Sequence, residues 1–452
     1  LAIVSARRDV LATLKQKAQN KDSPGELYAA LVYGTEYRPT ARWAREQDIP
    51  LLAYNRSIYR TEEEKELILL LRAIDICRLR SELPVVESPR RHEVPVTEQE
   101  MKSFFSAVPE ALVNAYRLWE ESETSGIIHE DYVFPRFGGL TAEDSFARLR
   151  SLCREGVSRR YGEFREDVGR RLDYELSIIR KKGFADYFLV VHDIVRRSPR
   201  TCGRGSSAAS IVSFLLGITH VDPLKYNLFF ESFLNRGRKD PPDIDVAFPW
   251  DEREKALDYV FSAYKGHAAM VADYVTFGPR SSIREPAKAL GVEEREIGRF
   301  VGMWRTGRTE QIPAELADLA GKIKTVPRYI GTHPGGVIIT PKPITNYTHI
   351  QISPLARPVI AWDKDSAEDA GLVKIDILGN RSLGVLRDTI KLVNRKRKEP
   401  IKWESFQPTE DLETEKFIES GETMGIFYIE SPATRQLLRK MERGDYPHLV
   451  LA

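Results

Sequence analysis

The chain has 452 residues, too many for one hydrophobic core, so about two to four domains are expected. Hydrophobic residues at 42% and charged residues at 30% exclude a disordered or collagen-like chain, and no apolar run is long enough to span a bilayer. The 68 basic and 66 acidic residues leave a net charge of +2, so bulk electrostatics argue neither for nor against a nucleic-acid partner. No signal-peptide pattern is present. Cys77, Cys153 and Cys202 are scattered without metal-type spacing, which fits reduced thiols in the cytosol, and the eight histidines form no His-x-x-x-His pair.

Taken in chain order, the sequence starts at Leu1 without methionine and is expected to lack its natural ends. Residues 1–85 mix helical stretches with one strand-like run at 49–54. A charged, proline-bearing linker follows at 85–96. Thr97 is a candidate N-cap, with Glu98 and Glu100 in the first turn of a helix continuing through 101–119. Residues 144–197 read as largely helical: Leu176, Ile179, Phe184, Phe188 and Val191 recur near a helical period, with a break at Gly183. A glycine-serine turn (203–210) opens an apolar helix (210–216). Residues 278–325 read as helices, 335–340 as a strand between Pro334 and Pro341, and 382–398 as a basic helix. There is no internal repeat. Basic clusters at Arg159-Arg160, Arg170-Arg171, 180–182, 236–239 and 395–398 could track phosphates, although each alone reads more often as solvated surface.

The most informative segment is Pro241-Pro242-Asp243-Ile244-Asp245-Val246-Ala247-Phe248. Its period of two places Asp243 and Asp245 on one face of a strand, with Ile244, Val246 and Phe248 on the other. Side-by-side carboxylates repel unless a cation sits between them, and a hard divalent ion prefers such oxygens. Residues 371–379 repeat the pattern, with Lys374 and Asp376 on one face and Val373, Ile375 and Ile377 on the other. If the two strands are neighbours, three carboxylates and a lysine converge. That set suits two-metal phosphoryl or nucleotidyl transfer, with ions roughly 3.5–4 Å apart, and the lysine would hold a phosphate as a point charge. The alternative is a solvated edge strand.

Gly203-Arg204-Gly205-Ser206-Ser207-Ala208-Ala209-Ser210 matches neither the Walker pattern nor Gly-x-Gly-x-x-Gly. Its glycines admit close backbone approach, Ser206 or Ser207 could cap the following helix, and Arg204 could bond a phosphate. It reads as a triphosphate cradle or as a plain capped turn.

The chain resembles the bacterial C-family replicative polymerases, the DNA polymerase III alpha subunits, and looks closest to their shorter or error-prone paralogues. The resemblance rests on residues 183–191 (Gly-Phe-Ala-Asp-Tyr-Phe-Leu-Val-Val), 203–210, 215–219 with Asp222-Pro223, 229–235 and 242–248. It continues through Thr332-His333-Pro334-Gly335-Gly336, Trp362-Asp363-Lys364, 371–379, Gly425-Ile426-Phe427 and Ile429-Glu430-Ser431, in family order over nearly the whole chain. It implies an α+β fold, with a nucleotidyltransferase-β-like palm interrupted by a helical thumb. Residues 1–92 would be the C-terminal part of a degenerate polymerase-and-histidinol-phosphatase-like (PHP) domain, 93–274 and 331–385 the palm, 275–330 the thumb, and 386–452 the start of the fingers. It implies Asp243, Asp245 and Asp376 as catalytic acids holding two Mg²⁺ ions. Gly203, Arg204, Gly205, Ser206, Ser207 and Lys374 would contact the incoming triphosphate. His333, Lys364 and Arg284 would be possible DNA or nucleotide contacts, with His333 reading equally as a loop histidine satisfied by backbone. The implied activity is DNA-directed DNA polymerisation in replication or translesion repair. Its implied partners are primer-template DNA, dNTPs and, through regions absent here, a sliding clamp and replisome subunits. The implied location is the bacterial cytoplasm, with no membrane partner.

Three departures bear on that reading. Ala247 stands where the family usually has a third Asp, so the metal site is expected to survive in weakened form. Asn55-Arg56-Ser57-Ile58 stands where the family often has Asn-Asp-x-His; Arg56 and Ile58 cannot ligate a metal, so no phosphoesterase activity is expected from that end. Most of the fingers is absent, so template and clamp binding are expected to be poor. These departures keep open a catalytically impaired, polymerase-like module that binds DNA or protein. A small-molecule nucleotidyltransferase would share the palm but not the thumb and finger resemblances.

Overall fold

The computed structural model describes residues 2–18, 26–122, 132–163, 165–198, 200–235, 237, 241–403, 409 and 411–452. It is a mixed α+β chain in two compact units, Leu1–Ile127 with Tyr274–Ile330, and Ile128–Asp273 with Gly331–Ala452. Arg236, Arg238 and Lys239 of the 236–239 cluster lie outside the described residues.

The first unit contains a parallel three-stranded sheet, β1 (Ala2–Ser5), β2 (Glu26–Val32) and β3 (Leu51–Tyr54), in that order. The sequence points only to β3, because β2 is a short, continuous apolar run that periodicity cannot separate from a buried helix. Thr97 and Glu100 form a reciprocal capping box, as the cap signal predicts. The helix expected through 101–119 is instead two, Glu98–Phe104 and Pro109–Glu121, divided where Pro109 restarts the chain at a first-turn position. Residues 278–325 are helical as expected: Ser281–Ala289, Glu294–Arg305 and Ala314–Ile323. Ile323, Leu319 and Phe277 share a core with Leu70 and Ala73 of the helix Glu62–Asp75.

The second unit is built on the remaining strands: β4 (Cys202–Arg204), β5 (Asp245–Pro249), β6 (Ala268–Thr276), β7 (Pro327–Ile339), β8 (Ile350–Ile352), β9 (Pro358–Ile360) and β10 (Lys374–Asn380). Their order is β4-β5-β10-β7-β6-β9-β8, and the chain passes into and out of this unit within β6 and β7. β5 and β10 are parallel, while β4 on β5 and β7 on β10 are antiparallel. One face of the central strands is apolar. Ile244, Val246, Phe248, Val373, Ile375 and Ile377 are buried there with Tyr187, Phe188 and Val191 from the helix Ala185–Val195. Burying a side chain of this kind contributes about 1.5–3 kcal/mol, so the alternation seen in the sequence fixes which face points inward.

Two ionic anchors hold this unit's helices. Glu175, fully buried on the helix Glu166–Lys182, pairs with Arg171 at 2.7 Å. It also accepts from Ser210 Oγ at 2.7 Å, Ile211 N–H at 3.0 Å and Val212 N–H at 3.2 Å. It thereby satisfies the first amides of the short helix Ile211–Leu215, whose N-cap is Ser210. Ser206 and Ser207 are therefore not the caps. Arg171, read as surface, turns inward. Farther along, Arg387 on the helix Arg381–Asn394 is almost buried and donates to Asp251 at 2.8 Å and Glu252 at 2.7 Å, in the turn after β5. Replacing Glu175 with alanine strands both amides and leaves Arg171 only the carbonyls of Ala209 and Leu228; unfolding in urea should show about 3–5 kcal/mol lost, whereas an effect under about 1 kcal/mol would contradict the anchor role.

Candidate functional site

The two acidic strands are neighbours, and Asp245 on β5 pairs directly with Asp376 on β10. Extending the row across the sheet adds Arg204 of β4, opposite Asp245, and Gly336 of β7, opposite Asp376. Cross-strand partners share a face, so these four positions share the face opposite the apolar core. Asp243 precedes the strand proper and is exposed. Lys374 lies two residues before Asp376; its Nζ is 2.5 Å from Asp376 Oδ2 and 4.0 Å from Asp243 Oδ1. The three carboxylates and the lysine thus meet.

Like charges set opposite each other cost energy, and the site shows it. Burial, then Asp243 and Asp376, push the Asp245 carboxyl up to about 6. Burial opposes the charge on Lys374, but Asp376, Asp243 and Asp245 outweigh it, and its affinity for the proton is raised. Asp245 Oδ1 and Asp376 Oδ1 are buried acceptors without a hydrogen-bond partner. Among the described residues no three His, Cys, Asp or Glu side chains are already gathered as a metal cage. The chemistry of the donor set nevertheless fits a hard divalent cation: two orphaned carboxylate oxygens on adjacent strands, with one carboxyl held near 6 by burial and by its acidic neighbours.

His333 sits beside this row. Its Nδ1 accepts from Gly335 N–H at 3.2 Å and Gly336 N–H at 2.7 Å, and lies 3.9 Å from Asp376 Oδ1. A ring nitrogen that accepts twice carries no proton, so the hydrogen resides on Nε2 and the imidazole is neutral. A Cβ on Gly336 would stand 2.9 Å from that Nδ1 and 3.1 Å from Lys374 Cδ, so glycine is required for the ring to close down. Arg253 completes the surroundings by donating from Nε to Ile377 O at 3.0 Å and bonding Pro334 O, which links β10 to β7. Tyr187 donates to Lys374 O at 3.4 Å from the apolar side, and burial pushes its phenol up.

The glycine-serine turn emerges at the same edge. Gly205 adopts φ +63° and opens a 3₁₀ turn, Gly205–Ala209. Arg204 and Gly205 are exposed and Ser206 is half-buried, but Ser207 is buried and its hydroxyl is spent on Arg204 O at 2.8 Å. Gly203 pairs with Val246 inside the sheet. Lys364, exposed at the start of the helix Lys364–Asp369, lines a cavity of about 410 Å³ with Asp243 and Lys374. Arg284 lies in the other unit and pairs with Glu294. Ala247 pairs with Leu378 and is buried, so the row next to the acids is apolar. Glu175 and Arg253 escaped the sequence reading. Glu175 did leave a trace, a carboxylate at a core-facing position between Leu172 and Leu176.

The family model described as the bacterial DNA polymerase III alpha NTPase domain matches residues 147–379, and that of the bacterial DNA polymerase III alpha subunit finger domain matches 382–451. The chain is similar to an error-prone DNA polymerase of Nocardia farcinica, at 33% identity over 89% of this chain and 36% of the relative. It is also similar to the DNA polymerase III subunit alpha of Bacillus subtilis, at 29% identity over 90% of this chain and 38% of the relative. A third similar protein, an error-prone DNA polymerase of Bradyrhizobium, is 30% identical over 96% of this chain and 40% of the relative. The chain spans well under half the length of these relatives.

The raised Asp245 carboxyl fixes a sign. A carboxyl whose folded value lies above its unfolded value of about 4 adds stability below pH 4 and loses it as pH rises through about 6. In EDTA, the melting temperature of the parent should fall relative to Asp245→Asn between pH 4 and pH 6. Mg²⁺ or Mn²⁺ at neutral pH should stabilise the parent but not the variant. An identical pH profile for both proteins would contradict the crowding of the three acids.

Proposed function

Because the chain belongs to the bacterial DNA polymerase III alpha family, we propose that it is the nucleotidyl-transfer core of a DNA-directed DNA polymerase, acting on primer-template DNA and dNTPs. The single observation that carries this reading is the Asp245–Asp376 pairing with Asp243 and Lys374 beside it. The three aspartates would hold two Mg²⁺ ions, which when bound lower the cost of charge on the attacking and leaving oxygens.

The chain's own residues would bind and orient. Arg204 and the amides of the Gly205–Ala209 turn would hold the triphosphate of the nucleotide beside Asp245. Lys374, nearly buried and fixed by Asp376, would offer one immobile positive charge toward the same phosphates. His333, neutral and pinned by two amides, would present Nε2–H as a donor. No side chain need become covalently attached, because positioning and charge compensation dominate phosphoryl chemistry.

The finer assignments belong to the same proposal. Residues 275–330 would be the thumb, 386–452 the beginning of the fingers, and 1–92 part of a degenerate PHP domain. Any clamp or replisome contact would come through other parts of the polymerase, in the bacterial cytoplasm. Among the described residues no helix is long and apolar enough to cross a membrane. Ala247 keeps a second reading alive, a module that binds DNA with impaired chemistry, since it removes an acid from the row beside Asp245.

Single-nucleotide incorporation on a labelled primer-template, with Mg²⁺ and then Mn²⁺, tests both readings. The chain should extend the primer, and Asp376→Asn should lower the rate by at least about a hundredfold while leaving DNA affinity near the parent's. Binding without incorporation in either metal would favour the impaired module. Ala247→Asp supplies the complementary measurement: a large gain in rate would mean that the alanine cripples the site.

A further inference from the structure

Residues 132–137 precede the stretch matched by the NTPase family model. They form a strap that is tied down at both ends. Val133 N–H donates to Gly371 O at 2.8 Å, and Val133 forms a parallel bridge with Leu372 just before β10. Phe137 N–H donates to Asp186 at 3.2 Å. Between these ties, Phe134 packs against Phe184 with ring centroids 4.7 Å apart. Asp186 is buried, accepts from Ser145 Oγ at 2.6 Å and faces Arg136 at 3.9 Å, so its negative charge is answered locally.

The strap walls a cavity of about 720 Å³ whose far side is the turn after β7. Its lining brings together Tyr132, Phe134 and Tyr347 with Arg136, Lys342 and Asn346. The volume suits a small polar-aromatic ligand rather than a duplex. Rings that can stack on a base, beside cations that can meet a phosphate, are the combination by which single-stranded nucleic acid is held without sequence preference. A purely apolar ligand would make no use of Lys342 or of Arg136, which Asp186 answers from only one side at 3.9 Å. Tyr132 also lines the cavity that contains Asp243, Lys364 and Lys374, so the two hollows share a wall.

The geometry points to a nucleotide subsite in which one unstacked nucleotide of a single strand lies against Tyr132 and Tyr347, with its phosphate toward Arg136 and Lys342. The subsite rests on the nucleotidyl-transfer reading for the presence of a strand near Asp243. A free nucleotide carries the same base and phosphate, so the test must separate the two sources.

The full chain is irradiated with oligo-dT carrying 5-iododeoxyuridine, and the crosslinked peptides are mapped. Crosslinks should fall at Tyr132 or Tyr347. Anisotropy should show about tenfold weaker oligonucleotide binding for Tyr132→Ala/Tyr347→Ala and near-parental binding for the corresponding phenylalanine pair. Arg136→Gln/Lys342→Gln should flatten the salt dependence. Excess dTMP that abolishes the crosslink would assign the subsite to a free nucleotide; persistence of the crosslink would assign it to the strand. Parental affinity in the alanine pair, or crosslinks confined to 203–210 and 241–246, would overturn the subsite. Primer extension keeps the two readings apart. Extension without a crosslink here sinks only the subsite, and a crosslink here without extension sinks only the transfer reading.

Discussion

The pairing of β5 with β10 in parallel, Asp245 directly opposite Asp376, is the constraint on which the rest depends. Two carboxylates across a strand pair repel, and nothing in their own chemistry would bring them together. What holds them is the reverse face of the same strands. Ile244, Val246 and Phe248 on one, and Val373, Ile375 and Ile377 on the other, are buried in a common core. A slip of one residue in either strand would turn its acid inward and expose its three apolar side chains, so the register is enforced from behind. The site is electrostatically uncomfortable and sterically obligatory, a combination expected where function opposes local stability.

That logic explains what could be read from the sequence. Alternation revealed which side chains share a face on each acidic strand, because the pleat has a period of two whatever the tertiary context. It could not reveal adjacency, since Asp245 and Asp376 are brought together only by the sheet order β4-β5-β10-β7. Helical periodicity located the helices before Gly183, which does end the helix Glu166–Lys182 in a left-handed cap at φ +72°. The glycine-serine turn was legible as a turn but not in its details. Ser210 is the cap because Glu175, some thirty-five residues earlier, reaches the same amides, and no local pattern encodes a partner so distant.

The misread elements have related causes. β2 was missed because a short buried strand and a buried helical turn look alike in one dimension, and β1 because a half-exposed run of four residues carries no period. β7 is longer than the run between its prolines suggests. It pairs with β10 only at Gly336, Val337 and Ile338, so Pro334 sits beyond that ladder, and its carbonyl is taken by Arg253. His333 is a further case. Sequence proximity to Pro334 and Gly335 left its partner open, and the folded chain supplies two amides from its own next turn.

Arg387 reaches back from the helix after β10 to Asp251 and Glu252, in the turn after β5. The far ends of the two acid-bearing strands are therefore tied together by a nearly dry guanidinium rather than by the backbone ladder alone. Losing that tie would leave the nearly buried guanidinium without its carboxylates in the turn after β5. The helix Arg381–Asn394 is thus joined to the ends of both acid-bearing strands, by the chain to β10 and by a guanidinium to the turn after β5.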